Sequence, residues 1–152
     1  MDLALAEANT AGANGEVPVG CIVVSARGDV VGRGRDRRQA PGDPLAHAEV
    51  AAIREAAEAQ GDWRLDGHTL VVTLEPCPMC AGLILMARVG RVIYGAENWK
   101  WGAAGTVVDL LGAEKFPHKP EIATGIKAKE CAALLTEYFK GQRKAKRAEK
   151  GE

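Results

Sequence analysis

His47, Glu49, Cys77 and Cys80 are the residues of this chain whose types and spacing could do chemistry. They stand in Leu45-Ala46-His47-Ala48-Glu49 and Glu75-Pro76-Cys77-Pro78-Met79-Cys80. One imidazole nitrogen and two thiolates make three of the four ligands of a tetrahedral zinc. A structural site closes with a fourth protein ligand, whereas a catalytic site leaves that position to water. Glu49, two residues beyond the histidine, lies near such a metal without being needed as a ligand. A carboxylate so placed suits a proton shuttle that takes a proton from water and hands it to a leaving group.

The cysteine pair alone supports other readings. A Cys-x-x-Cys serves as a redox pair, as half of a structural zinc site, or as two core thiols. Pro78-Met79 between the cysteines does not exclude redox use, and a structural zinc would want a second Cys or His pair at short spacing. The remaining cysteines, Cys21 and Cys131, are isolated in apolar company and are expected to be buried thiols. The His47-Ala48-Glu49 element is what turns the reading toward a catalytic zinc. Two thiolates and an imidazole also favour zinc over harder cations.

The elements that must position these residues follow from the chain's punctuation. Asp2–Ala13 is rich in Ala and Leu and reads as a helix stopped by Asn14-Gly15. Residues 19–25 form a continuous β-branched run, turned by Gly28-Asp29 into residues 30–32 as the second strand of a hairpin. Residues 33–44 read as a polar loop, and 46–60 as a helix ended by Gly61-Asp62. A buried strand follows at 69–74, a helix at 78–87 and a strand at 91–94. Residues 98–105 read as a loop, 107–111 as a short helix and 122–124 as an edge strand. The last helix is expected over 127 to about 146, with Cys131, Leu134, Leu135, Tyr138 and Phe139 on its apolar side. The alternation implies an α/β layered domain with parallel pairing in its second half. Neither an internal repeat nor a second domain is expected: residues 1–140 form the domain, and 141–152 a basic helix end or tail.

This layout puts the ligands in the first turns of two helices. Helix N-termini carry partial positive charge and unpaired amides, which favour thiolates. Cys77 at the cap and Cys80 three residues on share a face, so both sulfurs can reach one metal. The chain has no Walker-type phosphate loop, and Gly32-Arg33-Gly34 is too short a glycine pattern to carry meaning alone.

Composition bounds the rest. A chain of 152 residues is one ordinary domain with room for a sizeable core. No apolar run approaches the roughly 18 residues of a membrane span, and no basic segment followed by an apolar stretch opens the chain. No membrane association is expected, and four cysteines with two committed to metal fit a reducing cytoplasm. The formal net charge is zero but uneven. Residues 140–152 hold Lys140, Arg143, Lys144, Lys146, Arg147 and Lys150 against Glu149 and Glu152. A polyanion-binding end looks like this, and so does a solvated helix terminus.

His-x-Glu followed by Pro-Cys-x-x-Cys is the pattern of zinc-dependent nucleobase deaminases. The chain resembles, within that superfamily, the bacterial tRNA-specific adenosine deaminases. Glu16-Val17-Pro18-Val19-Gly20, Asp43 through Glu49 and the block from Val72 to Gly82 are the superfamily's general features. Gly102-Ala103-Ala104-Gly105 and Glu130-Cys131-Ala132-Ala133-Leu134-Leu135 are closer to the tRNA enzymes. The resemblance implies a cytidine-deaminase-like three-layer α/β/α sandwich around a mixed sheet of about five strands. It implies one zinc per subunit on His47, Cys77 and Cys80, with Glu49 catalytic. It also implies a homodimer, with the tRNA anticodon stem-loop bound across the subunit boundary and Asp36 and Ala48 at the substrate.

Two segments depart from the family. Asp36 takes the slot of an asparagine that hydrogen-bonds the target nucleotide, and an ionised aspartate accepts but cannot donate. Asn98, with Trp99 and Trp101 around Lys100, replaces a usually acidic residue followed by small ones. Lys100 is expected to meet phosphate and Trp99 or Trp101 to stack on a splayed base. Packing of both tryptophans at a subunit interface is the competing expectation. The activity implied is hydrolytic deamination of adenosine to inosine at a tRNA wobble position. The alternatives are a free nucleobase or nucleoside deaminase of guanine or cytosine type, for which a basic tail and tryptophan loop have no use, and a zinc-stabilised binding module, for which Glu49 has none.

Overall fold

A five-stranded mixed sheet carries helices on both faces in the computed structural model, which describes residues 1–151. The elements run α1 (Asp2–Ala13), β1 (Gly20–Val24), β2 (Val30–Arg35), α2 (Ala48–Gln60), β3 (Thr69–Leu74), α3 (Pro78–Met86), β4 (Arg91–Ala96), β5 (Glu121–Thr124) and α4 (Ala128–Glu149). Strand order is β2-β1-β3-β4-β5. β1 pairs antiparallel with β2 and β3, while β3–β4 and β4–β5 are parallel. The parallel half lies where helices cross over between strands, as expected of a strand–helix–strand order.

Alternation along the strands sorts the core into two layers. Cys21, Val23, Leu70, Val72 and Val92 pack with Ala52, Ala56, Ala81 and Ile84 of α2 and α3. Ile22 and Val71 point the other way and pack with Ala4 of α1. On that second face α4 reaches Gly95, where an added Cβ would meet Cys131 Sγ at 2.4 Å. Cys21 and Cys131 are both buried, as expected of core thiols.

Three differences from the sequence reading bear on the site. β2 continues through Arg35 instead of ending at Gly32, because Gly32 and Gly34 let α2 lie directly on the strand's backbone. A Cβ on Gly34 would sit 2.0 Å from the Ala48 carbonyl oxygen, and one on Gly32 would sit 2.1 Å from that of Ala52. The Gly-Arg-Gly pattern therefore has a structural meaning: it seats the helix that bears His47. Gly34→Ala is expected to force α2 outward and cost about 1–3 kcal/mol, as overpacking typically does. Calorimetry should show a melting temperature lower by about 2–12 °C, and an unchanged value would mean that α2 rests elsewhere.

The second difference is at residues 107–111, which form turns rather than a helix. Their backbone bonds back to the preceding loop, with Val107 and Val108 amides on the Gly102 carbonyl and Leu110 on that of Ala103. A bridge between Ala104 and Asp109 closes the turn. The third is that α2 starts at Ala48, leaving His47 as its cap in an extended conformation.

α4 is the longest helix and runs parallel to α1. Lys127, just before it, pairs with Asp2 at the start of α1, and the Tyr138 hydroxyl donates to the Gly15 carbonyl just beyond the end of α1 at 3.2 Å. Residues 139–149 therefore extend roughly 15 Å past the end of α1. They overrun the sheet edge at which β3 and β4 end and α2 and α3 begin. Glu152, the last residue of the 141–152 segment, lies outside the described residues.

Candidate active site

That sheet edge gathers the chemistry. β3 ends at Leu74, and Glu75-Pro76 carries the chain to Cys77, the cap of α3. Pro78 occupies the first helical position, where its missing N–H costs nothing. Cys80 lies one turn on and is buried. The neighbouring helix presents His47 from its own cap, with Nδ1 3.7 Å from Cys77 Sγ and 3.5 Å from Cys80 Sγ. All three ligand atoms lie within 4.8 Å of one another.

This spacing fits one ion. With zinc–sulfur and zinc–nitrogen bonds of ordinary length at tetrahedral angles, a sulfur and a nitrogen on one zinc sit about 3.6 Å apart. The two measured separations bracket that value. The electrostatics agree with the geometry. Hydrogen bonding from Cys80, aided by His47, lowers the Cys77 thiol to about 4, which favours the thiolate that a metal ligand requires. Its partner Cys80 is pushed up, first by that same hydrogen bond and then by burial. His47 is raised, chiefly by its bond to Cys77, with burial and the Arg38 cation opposing.

Glu49 stands in the first turn of α2, one position beyond Ala48, and is buried with only 4% of its surface exposed. Burial lifts its carboxyl to about 7, with the Cys77 charge adding to the rise and the backbone amide and His47 opposing it. A carboxyl held near neutrality can both accept and donate a proton. Ala48 itself is fully buried, with its carbonyl oxygen against Gly34 of β2.

The sequence signature of the cytidine and deoxycytidylate deaminase zinc-binding region matches residues 1–96. The chain belongs to the cytidine and deoxycytidylate deaminase family. It is 43% identical over 148 residues to the tRNA-specific adenosine deaminase of Bacillus subtilis strain 168, covering 97% of this chain and 91% of that one. Among solved structures it resembles a tRNA:A34 deaminase studied for A-to-I editing at the wobble position. That likeness has a TM-score of 0.84 and 44% identity, and covers 89% of this chain and 97% of the other. A guanine deaminase from Bacillus subtilis is similar at 38% identity and a TM-score of 0.60, over 63% and 61% of the two chains.

Around the deaminase centre, two buried carboxylates fasten the flanking loops. Glu16 accepts the amides of Gln39 and Ala40 at 2.8 and 2.9 Å. Glu75, two residues before Cys77, accepts the amides of Asn98, Ala104 and Thr106 at 2.9–3.1 Å, together with the Thr106 hydroxyl. The loop carrying Trp99, Lys100 and Trp101 is thereby tied to the cysteine arm. Asn98 shapes its turn, accepting the Lys100 and Trp101 amides at 3.3 and 3.0 Å while donating to the Glu75 carbonyl. An aspartate could not make that last contact. Trp99 and Trp101 are 77% and 65% exposed, and Lys100 is exposed as well.

Asp36 sits at the end of β2, almost fully buried. Its carboxylate accepts from the Arg38 amide and from Arg38 Nε, the closest approach being 2.9 Å. Sequence reasoning had not singled out Glu16, Glu75 or Arg38. The one signal for the two glutamates was a charged residue set in an apolar run, beside Val17-Pro18 in one case and between Leu74 and Pro76 in the other.

Proposed function

We propose that this chain deaminates adenosine to inosine at the wobble position of a tRNA anticodon, with Glu49 as the proton carrier. The single observation that carries this reading is the buried Glu49 beside a His47–Cys77–Cys80 group of zinc-ligand spacing. The strong likeness to enzymes named for that substrate supports the choice of nucleotide. Zinc held by His47, Cys77 and Cys80, one ion per subunit, would supply a water made nucleophilic near neutral pH. Glu49 takes a proton from that water as its oxygen adds to the amino-bearing ring carbon. The same carboxyl then gives that proton to the adjacent ring nitrogen. It takes the second proton from the added oxygen and passes it to the amino group, so that the carbon–nitrogen bond breaks with release of ammonia and the oxygen remains as the carbonyl of inosine. The site's burial keeps this shuttle out of competition with bulk water.

The anticodon reading draws on what else shares the edge. Trp99 and Trp101 offer stacking faces for splayed bases, Lys100 lies between them, and the basic end of α4 overhangs the same side. The basic 141–152 segment serves in this reading as a phosphate-binding extension of the 1–140 domain. A homodimer completes the binding surface. It is supported by an apolar groove between α2 and α3, lined by Val50, Ile53, Ala57, Trp63, Leu83 and Met86, where Trp63 and Met86 are 63% and 75% exposed. A second copy of the chain covers that groove. Free thiols at all four cysteines suit a cytoplasmic enzyme, and among the described residues no helix is long and apolar enough to cross a membrane.

Ammonia release from an anticodon stem-loop, set beside free adenosine, guanine and cytosine, tests the reading. The stem-loop is expected to be turned over well above the three small substrates. Deleting residues 141–152 should weaken its binding and reduce the salt slope by roughly 0.7 for each phosphate that the segment neutralises. Efficient turnover of guanine with none of the stem-loop would establish the free-base alternative instead.

A further inference from the structure

We infer that Asp36 and Arg38 act as a unit, in which the buried aspartate holds the arginine so that its outer guanidinium edge binds a backbone phosphate flanking the target nucleotide. The inference rests on the RNA-deaminase reading above and names one of its substrate contacts.

Two observations place Arg38 at the site. The Arg37 amide bonds the Ala46 carbonyl at 3.0 Å, which pins this stretch beside the residue preceding His47. Asp36 itself is fixed by its amide on the Val19 carbonyl at 3.1 Å.

The orientation of the guanidinium follows from its bonds. Asp36 engages Nε and the backbone amide of Arg38, which is the inner side of the arginine. Among the described residues neither Nη nitrogen has a protein partner, and the side chain is 36% exposed against 4% for that of Asp36. A guanidinium so held has lost its rotational freedom and still presents N–H donors outward. Its planar fork matches a phosphate's oxygens, where a lysine would offer only a point charge. The buried carboxylate, which can donate nothing itself, thus acts as a positioning residue that passes the donor role to its neighbour.

Binding to a fluorescent anticodon stem-loop, measured over a range of salt with zinc-loaded protein, tests this directly. Arg38→Gln is expected to weaken affinity roughly tenfold and to reduce the salt slope by roughly 0.7. Arg38→Lys should restore the slope but only part of the affinity. Asp36→Asn/Arg38→Gln removes the buried charge together with its partner; the same weakening at an unchanged melting temperature separates binding from folding. Stem-loops with a single uncharged methylphosphonate at one or the other linkage flanking the target adenosine supply the decisive arm. One of them should bind the unaltered protein roughly tenfold more weakly and bind Arg38→Gln with no additional weakening.

If the effects of Arg38→Gln and of both methylphosphonates simply add, the arginine touches base or sugar and the phosphate assignment is overturned. Unaltered affinity and slope in Arg38→Gln would make the arginine only a counter-ion for Asp36. Failure of the underlying reading looks different: no affinity of the unaltered protein for the stem-loop.

Discussion

Glu49→Gln is expected to retain metal and fold while losing turnover by about 100- to 10,000-fold or more. A positioned acid–base group typically supplies that range, and in the proposed mechanism one carboxyl serves every proton transfer. The substitution is nearly isosteric and removes no metal ligand, so zinc content and melting temperature should match those of the unaltered protein. Glutamine can neither take a proton from water nor return one. Glu49→Asp keeps the acid but withdraws it by one methylene from a buried position, and should fall between the two. The measurement is single-turnover inosine formation on an anticodon stem-loop with metal content determined on the same sample. A rate near normal in Glu49→Gln would remove the carboxyl from the chemistry while leaving the metal group intact.

Cys80→Ala should empty the metal site and lower stability together. The ligands come from the caps and first turns of two different helices, so the ion would tie α2 to α3 as well as serve the reaction. Linkage gives the size of the effect. With free zinc at a thousand times its dissociation constant, binding to the folded state contributes about 4 kcal/mol, which for a domain of this length moves the melting temperature by about 8–16 °C. Chelation of the unaltered protein should reproduce most of that shift, and Cys80→Ala should show no further change on chelation. Full zinc occupancy in the variant would exclude Cys80 as a ligand.

The gathering of His47, Cys77 and Cys80 was legible in the sequence because its signals are local. His47 to Glu49 is two residues, Cys77 to Cys80 is three, and both follow strand-then-helix signals that place them at helix starts. The sheet's parallel half was legible for the same reason, as was the burial of Cys21 and Cys131. What escaped was whatever depends on partners distant in the chain. The strand reads as ending at Gly32 and Gly34 as loop because glycine weakens strands on average, and only the α2 backbone lying on both explains the extension of β2. Residues 107–111 have the composition of a short helix, but their hydrogen bonds go to Gly102 and Ala103. Glu16, Glu75 and Asp36 look like surface charges one residue at a time. Each is buried and holds a loop across a separation that no local pattern encodes, except for Asp36, whose partner lies two residues away but whose burial does not show.

The seating of α2 on bare strand backbone has an evolutionary corollary. Most helices rest on side chains, and their height above a sheet drifts as core residues change size. Here the carbonyls of Ala48 and Ala52 stand where glycine side chains would begin, so main chain meets main chain and the spacing has no side-chain volume in it to vary. The height of His47 over β2 is thus set by main chain, whereas the two sulfurs ride on α3, whose Ala81 and Ile84 belong to the side-chain core with Leu70. Selection on the imidazole's position is therefore expected to bear on two glycines, and selection on the sulfurs' position on the side chains beneath α3.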